Sequence, residues 1–359
     1  MKVLFTTNIP SPYRVDFFNE LGKYCDLTVT FTDKFYAERD KSWKDFKFDN
    51  FKGIFLKGYS IKNLRICSEI KKIIKVGNFD KIIISDFNFP TGMIAINYMR
   101  RKKIAYYLES DGGFAKSGKG FKEKIKRHFI KGANGYFSTA KEHDKYYLTY
   151  GATEDKLIRY PFTSLKEENI EKSIITSKDK LALRDKLGIK EDKVVLTVGQ
   201  FIHRKGFDVL LKASKNFNSG VGFYFIGGEP TEEYLQYKAD NVHFIGFKKK
   251  VDLKEYYLMA DVFVLPTRED IWGLVINEAM ANGLPIITTD KCIAGLELVK
   301  NGENGYIVPV DNVEELTKAI NSVLVNNKNN KMGELSLKYI KGYTIEKMVR
   351  THVDIMEKP

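Results

Sequence analysis

The chain has 359 residues, of which 43% are hydrophobic and 29% are charged, so it is too long for one typical domain and too apolar for a disordered protein. Its three cysteines, Cys25, Cys67 and Cys292, lie far apart, which excludes a disulfide framework and a Cys-x-x-Cys metal site and indicates a reducing compartment. The net charge of +13 comes from residues 1–165, which contain 31 Lys and Arg against 18 Asp and Glu, whereas residues 166–359 contain 28 of each group.

The N-terminus lacks the features of a secretory signal, because Met1 to Phe5 leads directly into strand-like sequence without a long apolar region. No run of about 18 apolar residues is present that could span a bilayer. We therefore expect a cytoplasmic protein, either soluble or peripheral on the inner face of the plasma membrane.

Short runs of β-branched and aromatic residues recur through the first half and alternate with amphipathic stretches. Such runs predict strands, and strands that alternate with helix-length segments predict a parallel sheet covered on both faces. The predicted strands are residues 2–8, 27–32, 81–85, 103–109 and 135–139.

The same alternation begins again at Val194 and predicts a second domain of the same type. Its predicted strands are residues 194–198, 222–226, 242–247, 262–266, 285–289 and 305–310. The polar passage of about residues 163–192 is expected to hold the hinge. Farther on, Asn312 is a predicted N-cap for a helix over 313–325, and Thr344 is expected to open a last amphipathic helix.

The expected fold is therefore α/β, with two Rossmann-like doubly wound domains that face a cleft. We assign residues 1–165 to an N-terminal domain, residues 166–335 to a C-terminal domain, and residues 336–359 to a C-terminal helix that packs back onto the N-terminal domain. Open parallel sheets bind ligands at the carboxyl ends of their strands, so the functional residues are sought there.

The segment from Pro266 to Pro285 is the richest in chemical groups. An apolar strand ends just before it, an acidic loop follows, and Gly273 opens a helix. The first backbone amides of that helix, in Gly273, Leu274 and Val275, form a site for an anion such as a diphosphate.

Two carboxylates, those of Asp270 and Glu278, flank this helix start. A carboxylate can accept two hydroxyl hydrogen bonds at once, which suits the vicinal diols of a ribose or a hexose. The alternative is that Glu278 is a solvated helix residue and Asp270 a turn former.

Seven residues separate Asp270 from Glu278, and residues 279–285 read Ala-Met-Ala-Asn-Gly-Leu-Pro. This pattern resembles glycosyltransferase family 4, whose hallmark is an acid, seven residues and a Glu, followed by Ala-Met-Ala-x-Gly-x-Pro. In that family the first acid, normally Glu, approaches the hydroxyls of the donor sugar, and the second holds the ribose of the nucleotide. Here the first acid is Asp270, with Glu269 beside it, so either of the two is a candidate for the sugar contact.

The block that begins at Gly199 and ends at Gly206 carries two adjacent cations, Arg204 and Lys205, in a loop after a strand. Two such cations suit a diphosphate, although a solvated surface pair is the alternative. The resemblance implies that Arg204 and Lys205 clamp the diphosphate and stabilise it as it leaves, and that Gly199 and a glycine-rich turn at Gly227 contact the donor.

The resemblance covers the N-terminal half mainly by layout. Asn8 and Arg14 follow the first strand, where relatives often carry a Gly-Gly turn, and we place both on the acceptor side, with Arg14 as an anion contact or an ordinary helix-face residue. Glu109 and Asp111 end another strand, at about the place of an active-site His in some relatives. We expect one of them to face the cleft, Asp111 as a catalytic candidate and Glu109 on the acceptor side; a plain Asp-Gly-Gly turn is the alternative.

A basic amphipathic helix is predicted within residues 116–131. Its apolar residues at helical spacing are Phe121, Ile125 and Phe129, and its basic residues are Lys116, Lys119, Lys122, Lys124, Lys126, Arg127 and Lys131. Such a helix can lie on an anionic membrane or meet a lipid-diphosphate acceptor, whereas the alternative is a solvated charged face.

No metal or other cofactor is expected. The five histidines make no metal triad in the sequence; they are His128, His143, His203, His243 and His352. Arg204, Lys205 and the helix-start amides would take the place of a cation in stabilising the departing diphosphate.

The expected function is that of a metal-independent, retaining glycosyltransferase of GT-B architecture, with retention implied by the family alone. It would move a hexose-type sugar from a nucleotide diphosphate sugar to a glycan or a lipid-diphosphate-linked acceptor, in surface polysaccharide synthesis. One alternative is a nucleotide-sugar epimerase of the same architecture. A basic nucleic-acid-binding protein is a second alternative, but no reader motif accompanies the charge, and we expect no nucleic acid partner.

Overall fold

A computed structural model describes residues 1–33, 47–61, 64–116, 118, 120–325 and 329–357. Its strands are β1 (Lys2–Thr7), β2 (Asp26–Phe31), β3 (Lys52–Phe55), β4 (Tyr59–Ile61), β5 (Leu64–Ile66), β6 (Lys81–Ile84), β7 (Tyr107–Glu109), β8 (Gly135–Ser138), β9 (Leu157–Arg159), β10 (Lys193–Val198), β11 (Val221–Ile226), β12 (Val242–Ile245), β13 (Val262–Leu265), β14 (Ile286–Thr289) and β15 (Gly305–Val308). Its α-helices are α1 (Pro12–Leu21), α2 (Ile70–Gly77), α3 (Pro90–Lys102), α4 (Phe121–Ile130), α5 (Lys141–Thr149), α6 (Ser177–Leu187), α7 (Phe207–Ser214), α8 (Glu232–Leu235), α9 (Lys250–Met259), α10 (Leu274–Ala281), α11 (Ile293–Leu298), α12 (Val313–Leu324), α13 (Asn329–Ile340) and α14 (Ile345–Met356).

The chain divides into two compact units. The first comprises Met1–Ser164 and Thr344–Pro359, and the second comprises Leu165–Tyr343. The domain boundary expected at residue 336 lies inside α13, which belongs to the second unit, and the chain enters the first unit only at Thr344. A new helix begins there because the Thr344 side chain accepts a hydrogen bond from the amide of Lys347.

The first unit is built on a seven-stranded parallel sheet in the order β3-β2-β1-β6-β7-β8-β9. Helices α2, α3, α4 and α5 pack on one face, where alternate strand residues such as Leu4 and Ile84 join the apolar core. Helices α1 and α14 pack against each other, and Phe17 of α1 and His352 of α14 contact aromatic rings of the sheet on its other face. A separate antiparallel hairpin, β4–β5, follows β3.

The second unit contains a six-stranded parallel sheet in the order β12-β11-β10-β13-β14-β15. Helices α7 and α12 cover one face with an apolar core, and α9 and α10 contact strands β10, β13 and β14. Two parallel sheets with helices packed on them confirm the α/β, doubly wound fold class expected from the sequence.

One predicted strand begins too early. Residues 103–109 were expected to be extended, but α3 runs to Lys102 and Lys103 ends it in the left-handed conformation, so that β7 begins only at Tyr107. The polar run of Arg100 to Lys102 continues the last turn of α3, where basic side chains are favourable.

Candidate active site

The carboxyl ends of the six parallel strands of the second unit lie at one edge of its sheet. Gly199 follows β10, Gly227 follows β11, and the acidic loop with Glu269 and Asp270 follows β13. Because β10 and β13 are neighbours, two motifs that lie some 65 positions apart in the sequence meet at this edge.

Lys205, Arg204 and Asp270 form one charged cluster. The Lys205 Nζ lies 2.6 Å from Asp270 Oδ2, and the Arg204 Nη1 lies 3.6 Å from Asp270 Oδ1. The Asp270 side chain is nearly buried, Lys205 is half-buried, and the Arg204 side chain is 47% exposed. Two cations therefore share one carboxylate, and the cluster keeps a net positive charge on an accessible surface.

Backbone contacts hold the two loops of this cluster together. The carbonyl of Arg204 accepts hydrogen bonds from the amide of Arg268 at 2.8 Å and from the hydroxyl of Thr267 at 2.9 Å. Gly206 has φ of 66°, and a Cβ there would lie 2.0 Å from the carbonyl oxygen of Pro266. Only glycine allows this approach, which fixes Lys205 opposite Asp270.

Gly199 and Gly227 form a second close approach of two loops. A Cβ on Gly227 would lie 2.6 Å from the carbonyl oxygen of Gly199, and Gly227 has φ of 125°. The amide of Gly199 in turn donates to the carbonyl of Ile226 at 2.8 Å. These glycines let the loops after β10 and β11 touch, whether or not they also contact a donor.

The start of α10 lies directly after the acidic loop. Gly273 precedes the helix in the left-handed conformation, with φ of 99°, and the amides of Leu274 and Val275 belong to the first turn, where no intrahelical acceptor exists. Trp272 anchors the turn, because its ring is buried and its Nε1 donates to Asn277 Oδ1 at 2.8 Å. The resulting helix start presents backbone donors beside the charged cluster.

Glu278 lies one and a half turns into α10 and is half-buried. Its Oε2 accepts a hydrogen bond from the hydroxyl of Tyr257 at 3.0 Å. Tyr257 is buried, and burial together with the Glu278 charge raises the pKa of its hydroxyl well above the usual value, so that it stays a donor. Sequence reasoning missed Tyr257, because it lies on α9 and carries no motif.

A third cation at this edge, Arg268, is already matched by acids. Its Nη1 and Nη2 donate to the two carboxylate oxygens of Asp208 at 2.9 and 2.8 Å, and its Nε donates to Asp311 at 2.8 Å. Although burial opposes it, Arg268 lowers the pKa of the Asp208 carboxyl. This network was also missed by the sequence, and it leaves Arg204 and Lys205 as the cations that outnumber their acid.

The acceptor-side residues expected in the first unit form a different kind of cluster. The guanidinium of Arg14 binds Glu109 through Nη1 and Asp111 through Nη2, and the Tyr13 hydroxyl donates to Asp111. Arg14 and Glu109 are buried, whereas the Asp111 side chain is 29% exposed. Arg14 and Glu109 are each enclosed by their partners in this arrangement, whereas Asp111 keeps an accessible side chain, and a ligand contact at any of the three stays a prediction.

The reason for the burial of Glu109 lies at the far end of the chain. His352 lies on α14. Its Nε2 is 2.8 Å from Glu109 Oε2, and its Nδ1 is 2.8 Å from the carbonyl oxygen of Met348. A carbonyl only accepts, so Nδ1 is the donor in that contact. Burial would raise the pKa of Glu109, but the charges of Arg14 and His352 lower it to about 2.

Two other groups lie at the same strand ends. Asn8 is half-buried and its Oδ1 accepts from the amide of Ile9 at 3.0 Å, so it shapes its own loop. Ser110 lies 2.9 Å from Nε2 of the buried His143, whose Nδ1 accepts from the amide of Thr139 at 3.2 Å. Burial lowers the pKa of His143 to about 3, which keeps the ring neutral and makes Nε2 the donor to Ser110.

The predicted basic amphipathic helix is present as α4. Its first residue, Phe121, is 78% exposed, whereas Ile125 and Phe129 are half-buried. Lys126 lies over the rings of Tyr146 and Tyr150 of the first unit. The exposed basic residues of the helix are Lys122, Lys124 and Arg127, and Lys119 lies outside the described residues.

Metal-binding groups and membrane-spanning helices are both absent from the described residues. No group of three or more His, Cys, Asp or Glu side chains in those ranges is placed to hold a metal ion. Every helix within the same ranges is too short or too polar to cross a bilayer.

Comparison with known proteins defines the class of fold. The structure is similar to the crystal structure of HepE from Anabaena in complex with UDP and glucose, with a TM-score of 0.78, 14% identity and coverage of 99% of both chains. The chain thus has the GT-B fold of glycosyltransferases, as the sequence predicted. Residues 179–338 match the family model described as Glycosyl transferases group 1, a range that includes the charged cluster and Glu278.

Among curated proteins, the chain is similar to an uncharacterized glycosyltransferase of Haemophilus influenzae, with 32% identity over 188 residues that cover 49% of this chain and 52% of that protein. It is also similar to the lipopolysaccharide core biosynthesis glycosyltransferase LpsE of Rhizobium meliloti, with 30% identity over 140 residues that cover 37% of this chain and 40% of that protein. The chain spans about half or less of the length of these two relatives.

Proposed function

We propose that the protein is a glycosyltransferase that transfers a hexose-type sugar from a nucleotide diphosphate sugar. The observation that carries the proposal is the cluster in which Arg204 and Lys205 share Asp270 beside the first amides of α10. Such a site favours a diphosphate, because two cations and a helix N-terminus face one anion. The match of residues 179–338 to a glycosyltransferase family and the UDP bound by the similar HepE support this choice of donor.

Within this site, each side chain has a proposed task. Lys205 has three donor hydrogens, so it can keep its bond to Asp270 and still bind the diphosphate, and Asp270 acts by aligning it. The carboxylate of Glu278, which Tyr257 orients, accepts hydrogen bonds from the ribose hydroxyls. Glu269, beside Asp270, is the candidate for the sugar hydroxyls.

We propose a reaction with retention at the anomeric carbon. The acceptor oxygen bonds to that carbon on the face from which the diphosphate leaves, the bond to the β-phosphate oxygen breaks with its electron pair on the phosphate, and a β-phosphate oxygen takes the hydroxyl proton. Arg204 and Lys205 neutralise the developing charge, a role that requires no metal ion in this proposal.

The proposed acceptor is a glycan or a lipid-diphosphate-linked glycan of surface polysaccharide synthesis, an idea that the similarity to LpsE supports. Asp111 is the proposed contact for an acceptor hydroxyl, because its side chain is partly exposed while Arg14 and Tyr13 fix its orientation. We further propose that the basic face of α4 brings the protein to an anionic membrane, where such an acceptor would lie.

The test is a calorimetric titration of the purified protein with UDP-, GDP-, ADP- and CMP-sugars in the presence of EDTA. We expect saturable binding of one nucleotide class, lost in Glu278→Ala and kept in Glu315→Ala, an exposed glutamate of α12. No binding of a UDP-, GDP- or ADP-sugar would overturn the proposal, and so would binding of the CMP-sugars alone, because they carry no diphosphate. With the donor known, the anomeric configuration of the product, read by NMR, tests retention: inversion would refute the proposed stereochemistry while leaving the transferase in place.

A further inference from the structure

The β4–β5 hairpin of the first unit carries apolar side chains on one face. In an antiparallel pair, residues opposite each other share a face, and residues two apart on one strand do so as well. Ile61 is paired with Leu64, and Tyr59 is paired with Ile66. All four apolar side chains therefore lie on one face, and Ser60 with Arg65 lie on the other.

This apolar face is open to solvent. Tyr59 is 61% exposed, Ile61 is 53% exposed and Leu64 is 48% exposed. These three large apolar side chains are neighbours on one face of a small hairpin, so they form a continuous patch. Single exposed apolar residues, in contrast, are ordinary on protein surfaces.

The hairpin and its nearest neighbours in the sequence carry cations, between Asp49 on one side and Glu69 on the other, and the Glu69 carboxylate accepts a hydrogen bond from the amide of Lys57 at 2.7 Å. Residues 50–68 contain four cations and no Asp or Glu; the cations are Lys52, Lys57, Lys62 and Arg65. Of these, Lys62 lies outside the described residues, and Lys52 and Lys57 are exposed. An exposed apolar face that follows a segment with exposed lysines is complementary to a surface that offers negative charge above an apolar layer.

We infer that the β4–β5 hairpin inserts its apolar face into an anionic lipid bilayer and thereby docks the first unit on the membrane. Charge complementarity selects this occupant. A second copy of the chain in a symmetric pair would set the same basic hairpin against itself, which like charges oppose. Tyr59 also suits a membrane interface, since tyrosine favours the boundary between headgroups and acyl chains. The inference does not depend on the proposed transfer reaction.

The hairpin and α4 would act on the same membrane in different ways. The hairpin supplies apolar side chains that enter the acyl region, whereas α4 supplies mainly charge, with Phe121 as its one strongly exposed apolar residue among those described. Salt should therefore weaken the contribution of α4 more than that of the hairpin.

The first experiment is co-sedimentation of the full chain with vesicles of phosphatidylcholine, with and without phosphatidylglycerol. We expect binding to the anionic vesicles, and a fall of about tenfold or more in the partition coefficient of the Ile61→Ser, Leu64→Ser double variant, because two half-exposed apolar side chains are removed. The control is Leu181→Ser with Val251→Ser, which removes exposed apolar residues of the second unit and should bind like the parent chain. Equal binding of the two double variants would overturn the inference.

The second experiment places a probe in the hairpin. Ile61→Trp should give tryptophan emission that is quenched by brominated lipid in anionic vesicles, while Val251→Trp should not be quenched beyond the parent chain. Absence of quenching at position 61 would contradict insertion. Analytical ultracentrifugation supplies a further check. If the parent chain is a dimer and the Ile61→Ser, Leu64→Ser variant is a monomer, the apolar face binds a second copy and the membrane inference is refuted.

Discussion

The sheets of the two units both end in a group of charged side chains, but the two groups differ in balance and in exposure. In the first unit, Arg14 and His352 face Glu109 and Asp111, and three of these four are buried. In the second unit, Arg204 and Lys205 share the carboxylate of Asp270, and the Arg204 side chain is about half exposed.

The difference teaches how to separate a supporting ion cluster from a binding one. Buried charges need nearby opposite charges and hydrogen bonds, because desolvation is costly, and a cluster that satisfies itself has little left for a ligand. An accessible cluster with an excess of one sign, next to helix amides, attracts an ion of the other sign. The first cluster therefore links α1, β7 and α14, and the second is the proposed anion site.

The largest effect is expected from Arg14→Met, which removes the guanidinium from the buried charge cluster of the first unit. The variant leaves Glu109 buried without its guanidinium, so we expect the free energy of unfolding to fall by about 3–5 kcal/mol, measured by urea denaturation. Arg350→Met is the control, because the Arg350–Asp354 pair of the same unit is exposed and should contribute nothing measurable. If the variant keeps its stability but loses affinity for the nucleotide, Arg14 is a ligand contact and not a supporting residue.

The next effect concerns the open side of the comparison. Lys205→Ala removes a charged hydrogen-bond donor from the proposed diphosphate site, so we expect the Kd for the preferred nucleotide to rise by about 10- to 100-fold. Lys212→Ala, on α7 and paired with Asp208, is the control and should bind normally. If both variants bind like the parent chain, the diphosphate does not lie at this cluster.

A pH effect sharpens the account of the first unit. Burial lowers the pKa of His143 to about 3 in the folded chain, against 6.5 for the ordinary side chain, so the unfolded chain takes up the proton first. The neutral His143 therefore costs nothing above about pH 6.5. As the pH falls from 6.5 toward 3, the free energy of unfolding decreases, and the loss is about 2 kcal/mol at about pH 5.

Urea unfolding at several pH values checks this expectation. His143→Gln should remove about that part of the acid sensitivity, whereas His128→Gln, which changes an exposed histidine, should keep it. Identical pH profiles for the two variants would show that His143 is not held neutral by burial.

The smallest effect concerns the support of Glu278. Tyr257→Phe removes one hydrogen bond to the carboxylate without changing the buried ring, and we expect the Kd for the nucleotide to rise about three- to tenfold. Tyr256→Phe changes the neighbouring, half-buried tyrosine and should leave the Kd unchanged. If the two variants change the Kd equally, Tyr257 has no specific role in orienting Glu278.

Much of the fold follows from local sequence. The strands β1 and β10, which are rich in β-branched residues, and the caps at Asn312 and Thr344 were predicted, and the structure confirms them, because these signals depend on neighbouring residues alone. The short strands β3, β4, β5 and β9 were missed. Their residues are mixed in polarity, and tertiary contacts rather than local propensity decide their conformation.

The candidate site shows the same division. The sequence places Arg204, Lys205 and Asp270 after strands, and the pairing of β10 with β13 then brings them together. The burial of Glu109 could not be predicted, since it depends on His352, a residue 243 positions later in the chain. Short motifs carry the chemistry of a site, whereas the partners that enclose or orient its residues come from distant segments without a pattern.

A crystal structure of the protein with UDP tests the central claim most directly, because it locates the diphosphate. We predict phosphate oxygens within hydrogen-bond distance of Lys205, Arg204 and the amides of Leu274 and Val275, with the ribose hydroxyls at Glu278. A diphosphate bound at the Arg14 cluster of the first unit, or a second-unit sheet edge that stays empty while UDP binds elsewhere, would contradict the account.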